Sequence, residues 1–317
     1  MKFSRPEVTV VLPTYNHGKY VDEAITSVFA QTFEDYELLI LDDCSSDITA
    51  ESLKGLKDTR VRYIRHHANI GLVANWTYGI KMASGKYVAI LSDDDKYEPY
   101  FLFKRVSAFR EHEELVAATG VFECCDGSGA FIRLSKSPSE TEKIYRGKEL
   151  IGFALGRTGE WFNGATLYNL EMVRSVWPHV MMAGTSLDFS LHVRLSLLPE
   201  ASAYFLPHPD MMLRVHSDQE SQRNSLYLAE CAAKLALQLW RFELKREDAD
   251  TKALFRRRLS KDINNYARML WDRNHVEEAR YIFLNELSIR PTSVMAWARL
   301  IRSYIMRPRH PLIDTLP

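Results

Sequence analysis

No stretch of this 317-residue chain approaches the roughly 20 uninterrupted apolar residues of a membrane-spanning helix. Cysteine is scarce. Cys44, Cys124, Cys125 and Cys231 have no metal-ligand spacing, and the adjacent pair is poor disulfide geometry, so reduced thiols are the simplest reading. No Gly-x-Gly-x-x-Gly follows the first apolar run, and no Gly-x-x-x-x-Gly-Lys-Ser/Thr occurs anywhere. Dinucleotide-dependent oxidoreductases and phosphate-loop NTPases are therefore weak readings. The opening Met1-Lys-Phe-Ser-Arg-Pro reaches an apolar run within a few residues, leaving no room for a secretion signal, and a cytoplasmic protein is expected. Overall charge is also missing, with 41 Lys+Arg against 41 Asp+Glu.

That balance conceals an asymmetry. Residues 1–222 hold 23 Lys+Arg against 30 Asp+Glu, whereas residues 223–317 hold 18 against 11. With a change in periodicity, this places a domain boundary near residue 222. The acidic first part suits a cation and would repel a phosphate backbone, which argues against nucleic-acid binding. The basic second part suits an anionic partner, including a membrane surface touched peripherally, or is simply solvated.

What is present is more specific. Tyr87-Val-Ala-Ile-Leu-Ser-Asp93-Asp94-Asp95 is an apolar run ending in three carboxylates. Such a run reads as a strand buried on both faces, and charges at its exit must be hydrated, paired or bound to a cation. Mg²⁺ and Mn²⁺ favour carboxylate oxygens and bridge them to substrate phosphates. A solvated turn, with Asp95 capping a helix near Pro99, is the plainer alternative.

Strands and helices alternate around this run. Strands are expected at Val8–Leu12, Tyr36–Leu41, Val61–Ile64, Lys86–Leu91 and Leu115–Phe122. Helices are expected over Tyr20–Ala30, Ala50–Lys57, Val73–Ala83 and Pro99–Glu111. The alternation implies right-handed crossovers and a mostly parallel sheet, an α/β fold. Ligands of such sheets lie outside the carboxyl ends of the strands. Three of the first four strands end in polar groups: Thr14-Tyr15-Asn16, Asp42-Asp43 and Asp93-Asp94-Asp95. Together they suggest a phosphorylated ligand held beside a cation.

VTVVLPTYNHGKYVDEAITSVFAQTFEDYELLILDDCSSD and NIGLVANWTYGIKMASGKYVAILSDDDKYEP resemble the donor half of family 2 glycosyltransferases, inverting enzymes of the GT-A fold. The likeness extends over about residues 6–221, with a donor half to 122 and an acceptor half from 123 to 222. It implies a nucleotide-sugar donor, UDP-linked in the first instance, contacted by Pro13, Thr14, Tyr15, Asn16, Asp42, Asp43, Asn69, Asp93 and Asp94. It also implies Mg²⁺ or Mn²⁺ held by Asp94 and Asp95, with His216 from Arg214-Val-His216-Ser-Asp-Gln-Glu-Ser as a further ligand and Arg214 as a phosphate partner. The acidic element departs from the family's commonest Asp-x-Asp-Asp spelling, because Ser92 takes its first acidic position.

An inverting transfer needs a base for the acceptor hydroxyl. Leu187-Asp188-Phe-Ser-Leu-His-Val-Arg194 resembles the family's acidic element opening an acceptor-side helix, and this assigns Asp188 as that base. The residue fits an N-cap as well. Trp161-Phe-Asn163-Gly164-Ala165-Thr166 is similar to the segment lining the acceptor pocket. The implied enzyme is a hexosyltransferase acting on a glycan or lipid-linked glycan of the cell envelope, a polysaccharide-building role. Beyond residue 226 the periodicity is helical, over Tyr227–Phe242, Leu254–Leu270 and Val276–Leu287. Trp297, Tyr304 and Ile305 are interleaved with Arg299, Arg302, Arg307 and Arg309, as in a membrane-surface face or an internal packing face. A metal-dependent phosphohydrolase and a catalytically silent nucleotide- or glycan-binding module remain as alternatives.

Overall fold

The structure, a computed structural model, describes residues 5–217, 219, 225–240 and 249–305. These form two compact units, one running to residue 217 without residues 182–186, the other made of 182–186 and the described residues from 219 onward. Among the described residues no helix is long and apolar enough to cross a membrane.

The first unit is built on an eight-stranded sheet. An inner strand is β1 (Val8–Thr14), whose seven residues are all buried, as a strand covered on both faces requires. It pairs in parallel with β2 (Tyr36–Asp42) and β4 (Tyr87–Ile90), and β2 pairs in parallel with β3 (Val61–Arg65). Parallel neighbours need crossovers. These are helices α1 (Val21–Phe29), α2 (Thr49–Leu53) and α3 (Leu72–Met82). On α1, Val21, Ala24, Ile25 and Val28 face the sheet at helical spacing. On α3, Gly79 permits close approach, since a Cβ there would stand 2.6 Å from Val11 Cγ1.

After α4 (Phe101–Glu111), the sheet continues through β6 (Leu115–Gly120), β9 (Lys143–Arg146), β10 (Thr166–Asn169) and β11 (Ser202–Leu206). The order is β3-β2-β1-β4-β10-β6-β11-β9. β10 runs antiparallel to both neighbours and β9 antiparallel to β11, so the sheet is mixed with a parallel majority. Helices α5 (Gly147–Ala154), α6 (Leu170–Val180) and α7 (Leu187–Ser196) complete this part.

A second, four-stranded sheet was not legible in the sequence. It orders β5 (Lys96–Tyr97), β12 (Met211–Val215), β7 (Glu123–Asp126) and β8 (Phe131–Leu134) as β5-β12-β7-β8. β5 has two residues, and its partner lies over a hundred positions away, where local pattern carries no signal. Arg105 of α4 secures this arrangement from inside the core. Fully buried, it makes a bidentate pair with buried Asp210 at 2.8 and 2.9 Å and donates twice to the Ala165 carbonyl. One guanidinium thus fixes the segment before β10 and the entry to β12.

The second unit is helical: α8 (Ser225–Gln238), α9 (Ala249–Asp272), α10 (Val276–Ile289) and α11 (Val294–Ile305). Ala267, Leu270, Phe283, Leu287 and Leu300 form its core. Buried Glu286 accepts from Ser260 at 2.6 Å and Arg299 at 3.0 Å. Phe242, Arg307 and Arg309, named from the sequence, lie outside the described residues.

Candidate active site

Strand register brings the first and third polar strand ends together. Val11 lies opposite Ile90, so the chain leaving β1 at Tyr15 runs level with Asp93 beyond β4. The Tyr15 amide donates to Asp93 Oδ2 at 3.3 Å, and His17 Nδ1 meets Asp93 Oδ1 at 2.7 Å. Tyr15 itself is 46% exposed, leaving a ring face for a ligand to stack on. Pro13 and Thr14 are buried in β1, and the Thr14 hydroxyl has no partner among the described residues. Asn16 takes a left-handed conformation (φ 57°), which its short amide tolerates. Its Oδ1 accepts from the Ser46 amide at 2.7 Å, joining the loop after β1 to that after β2.

The second polar strand end serves mainly to build this floor. Asp42 is fully buried, accepting from the Ser45 amide (2.8 Å) and the Tyr63 hydroxyl (2.9 Å), with Arg65 Nε at 3.3 Å. Asp43 accepts from the amides of Ile70 (2.7 Å) and Gly71 (2.9 Å). That double bond pins the turn carrying exposed Asn69 into α3, whose Gly71 has φ 83°.

The pairing of β5 with β12 delivers the third group. Met212 opposes Lys96, so antiparallel register sets Arg214 beside Asp94 and Asp95. The Arg214 amide donates to Asp95 Oδ1 at 2.9 Å, and its Nε donates to the Asp94 carbonyl at 3.0 Å. Its other donors reach Gly127 O (3.2 Å) and Glu23 (3.0 Å), while the guanidinium lies 4.7 Å from the Tyr20 ring centre. Arg214 therefore clamps the acidic turn. His216 Nε2 meets Asp94 Oδ2 at 3.0 Å, its ring packed against Tyr20 and His17.

All three carboxylates of the turn are buried, so a solvated turn is excluded, and α4 begins at Phe101 without a side-chain cap. Burial, reinforced by the charge of Asp94, holds the Asp95 carboxyl well above the usual carboxylate range. Its Oδ2 has no partner among the described residues. An orphaned, desolvated carboxylate oxygen beside a second carboxylate suits a divalent cation. No three His, Cys, Asp or Glu side chains among the described residues make a ready cage. Mg²⁺ characteristically takes one or two protein carboxylates and completes its shell from substrate phosphates and water. The two carboxylates of Asp94 and Asp95 fit that habit, with His216 beside them on Asp94.

On the other flank, Trp161, Asn163 and Gly164 form a buried wall. Trp161 stacks between Phe153 and His192, 4.5 Å from the latter, and its indole donates to Thr166. A Cβ on Gly164 would meet Phe162 at 2.6 Å, so its smallness serves packing. Asn163 donates to the Ile90 carbonyl (3.4 Å) at the end of β4 and accepts from the Tyr168 hydroxyl (3.0 Å). With that proton engaged, the 2.8 Å contact between Tyr168 and His192 requires His192 to carry hydrogen on Nε2. His192 lies on α7 one turn beyond Asp188, which is partly exposed and whose Oδ1 accepts from the Phe189 amide at 2.7 Å. A buried polar line thus runs from the β4 end to the helix bearing Asp188.

Burial alone lowers the His192 pKa from 6.5 to about 3. Between those values the unfolded chain binds a proton that the folded chain does not, so stability falls as pH falls through 6.5. Each pH unit in that window removes about 1.4 kcal/mol. Urea denaturation at pH 6.5 and 5 is therefore expected to show wild type losing about 2 kcal/mol more than His192→Gln. Parallel losses would show that His192 titrates in the fold.

His17, Tyr20, Tyr168 and His192 were not singled out from the sequence. His17 carried one signal, its position two residues beyond Tyr15 in the loop leaving β1; the others become visible only through tertiary contacts.

Residues 9–171, more than half of the chain, match the profile of Glycosyl transferase family 2. An uncharacterized glycosyltransferase of Rickettsia bellii is 27% identical over 237 residues, 72% of this chain and 32% of that protein. A candidate colanic acid biosynthesis glycosyl transferase of Escherichia coli K12 is 31% identical over 113 residues, 35% of this chain and 39% of that one. The alignments thus span well under half the length of these two relatives. Among solved structures, Staphylococcus aureus TarS 1–349 in complex with UDP superposes with a TM-score of 0.66 at 17% identity, covering 94% of this chain and 89% of that one. The mixed sheet with its flanking helices is the GT-A fold that such structures share. The chain belongs to glycosyltransferase family 2.

Proposed function

We propose that the protein transfers a hexose, with inversion, from a nucleotide sugar to a hydroxyl of a glycan or lipid-linked glycan. The observation that carries this reading is the convergence of Tyr15, His17, Asp93, Asp94 and His216 at the carboxyl ends of β1 and β4. TarS was solved with UDP and with UDP-GlcNAc, and a Pyrobaculum calidifontis mannosyltransferase (TM-score 0.50, 13% identity) with GDP-Man and Mn²⁺. They support a nucleoside-diphosphate donor, and the uridine form is the first choice. The names of the Escherichia coli relative and of a candidate teichuronic acid biosynthesis enzyme of Bacillus subtilis support an envelope polysaccharide acceptor. We place the reaction in the cytoplasm, at the inner face of the membrane where such acceptors grow.

In this reading the Tyr15 ring stacks on the base, and the loop carrying Asn69, held by Asp43, closes over the nucleotide. Asp94 and Asp95 hold Mg²⁺ or Mn²⁺, with His216 beside them and Arg214 keeping the turn in place. When bound, the cation offsets negative charge developing on the departing diphosphate. Asp188 takes the acceptor proton as its oxygen attacks the sugar from the opposite side. Trp161, Asn163 and Gly164 act as the rigid backing of the acceptor side. A thermal-shift panel of nucleotide sugars, with and without Mn²⁺, tests the donor assignment. A midpoint rise that needs both nucleotide sugar and metal is expected, and no rise with any of them would overturn it.

A further inference from the structure

Helix α11 shows solvent its apolar side. Ala296, Leu300 and Ser303 face the neighbouring helices and are buried. Outward stand Val294 (81% exposed), Met295 (62%), Trp297 (48%), Ile301 (53%), Tyr304 (63%) and Ile305 (77%). Val294, Trp297, Ile301 and Ile305 recur at three- and four-residue intervals and so share one stripe. The outward face of a packed helix is ordinarily polar. This one is apolar along its length, with Arg302 on its flank, and large apolar patches on a surface mark an interaction site.

Charge decides between occupants. Residues 223–317 carry 18 Lys+Arg against 11 Asp+Glu, so a second copy would bring like charge to like, whereas an anionic surface would be attracted. Trp297 and Tyr304 have the amphipathic rings favoured at a membrane–water boundary. We propose that α11 is an interfacial anchor lying in the headgroup region of a bilayer containing anionic phospholipid. Ile301 and Ile305 enter the acyl boundary, Trp297 and Tyr304 sit at headgroup level, and Arg302 meets lipid phosphate. The anchor deepens the reading of a membrane-bound acceptor, but vesicle binding requires neither donor nor acceptor, so either can fail without the other.

The test is co-sedimentation of the full chain with phosphatidylcholine vesicles, with and without phosphatidylglycerol. Binding is expected only with phosphatidylglycerol, weakening as salt rises, and the double variant Ile301→Glu, Ile305→Glu should bind at least about ten-fold more weakly. Both positions are exposed, so an unchanged melting midpoint is expected for the variant. Absence of binding to phosphatidylglycerol vesicles, or equal binding by the variant, overturns the proposal. So does a dimer in sedimentation velocity that the variant dissolves while vesicle binding is absent, an outcome assigning the face to a second copy.

Discussion

Asp188→Asn is expected to lower kcat by about 10²- to 10⁴-fold, the usual contribution of a general base. The substitution is nearly isosteric, and an asparagine Oδ1 can still accept from the Phe189 amide as Asp188 does at 2.7 Å. The melting midpoint and donor affinity should therefore stay close to wild type, because the base acts on the acceptor. Steady-state kinetics with nucleotide calorimetry separates these quantities. Turnover within a few-fold of wild type would remove Asp188 from the mechanism and leave it as a helix-terminal carboxylate.

The second large effect concerns stability. Asp210→Ala leaves Arg105 buried with its countercharge gone, at a site where both side chains are at most 1% exposed. Breaking one partner of such a pair costs about 3–5 kcal/mol. For a unit of about 200 residues, this corresponds to a melting midpoint lower by roughly 10–15 °C. Replacing both groups with apolar residues, Arg105→Met with Asp210→Leu, should recover much of the loss, since no buried charge is then left alone. A midpoint unchanged in Asp210→Ala would show that the pair contributes nothing to the core. Because Asp210 opens onto β12, the single variant should also weaken nucleotide binding through a looser Arg214 and His216.

The contrast between these positions shows what the sequence carried. β1, β2 and β4 were readable because each is an apolar run buried on both faces, and their ends mark the cleft by simple geometry. Asp93, Asp94 and Asp95 were conspicuous for the same reason, as charges where apolar pattern stops. The second sheet was invisible: Lys96-Tyr97 acquires strand character by pairing with Met211-Met212, and Met211–Val215 by pairing with it and with Glu123–Asp126, all distant in the chain. Nor does local pattern say which way a polar side chain turns. Asp42 stands where a ligand contact is expected, and the fold adds a second role, its oxygens meeting Ser45, Tyr63 and Arg65. Trp161 sits in a segment similar to one that lines an acceptor pocket, and its stacking between Phe153 and His192 is visible only in the fold. Arg214 matches a motif suggesting a phosphate contact, and the fold shows its donors holding the acidic turn. His17 and Tyr20 flank a loop and a helix start, but only the fold brings them to Asp93 and His216.

The turn at Asp94 and Asp95, in the function proposed above, holds a nucleoside diphosphate through a divalent cation. Titration calorimetry of UDP into wild type with Mn²⁺, into wild type with chelator, and into Asp94→Asn with Mn²⁺ tests it directly. Affinity should drop at least about ten-fold on losing either the metal or the carboxylate, consistent with one charge-assisted contact. UDP binding equally well in all three titrations would contradict it.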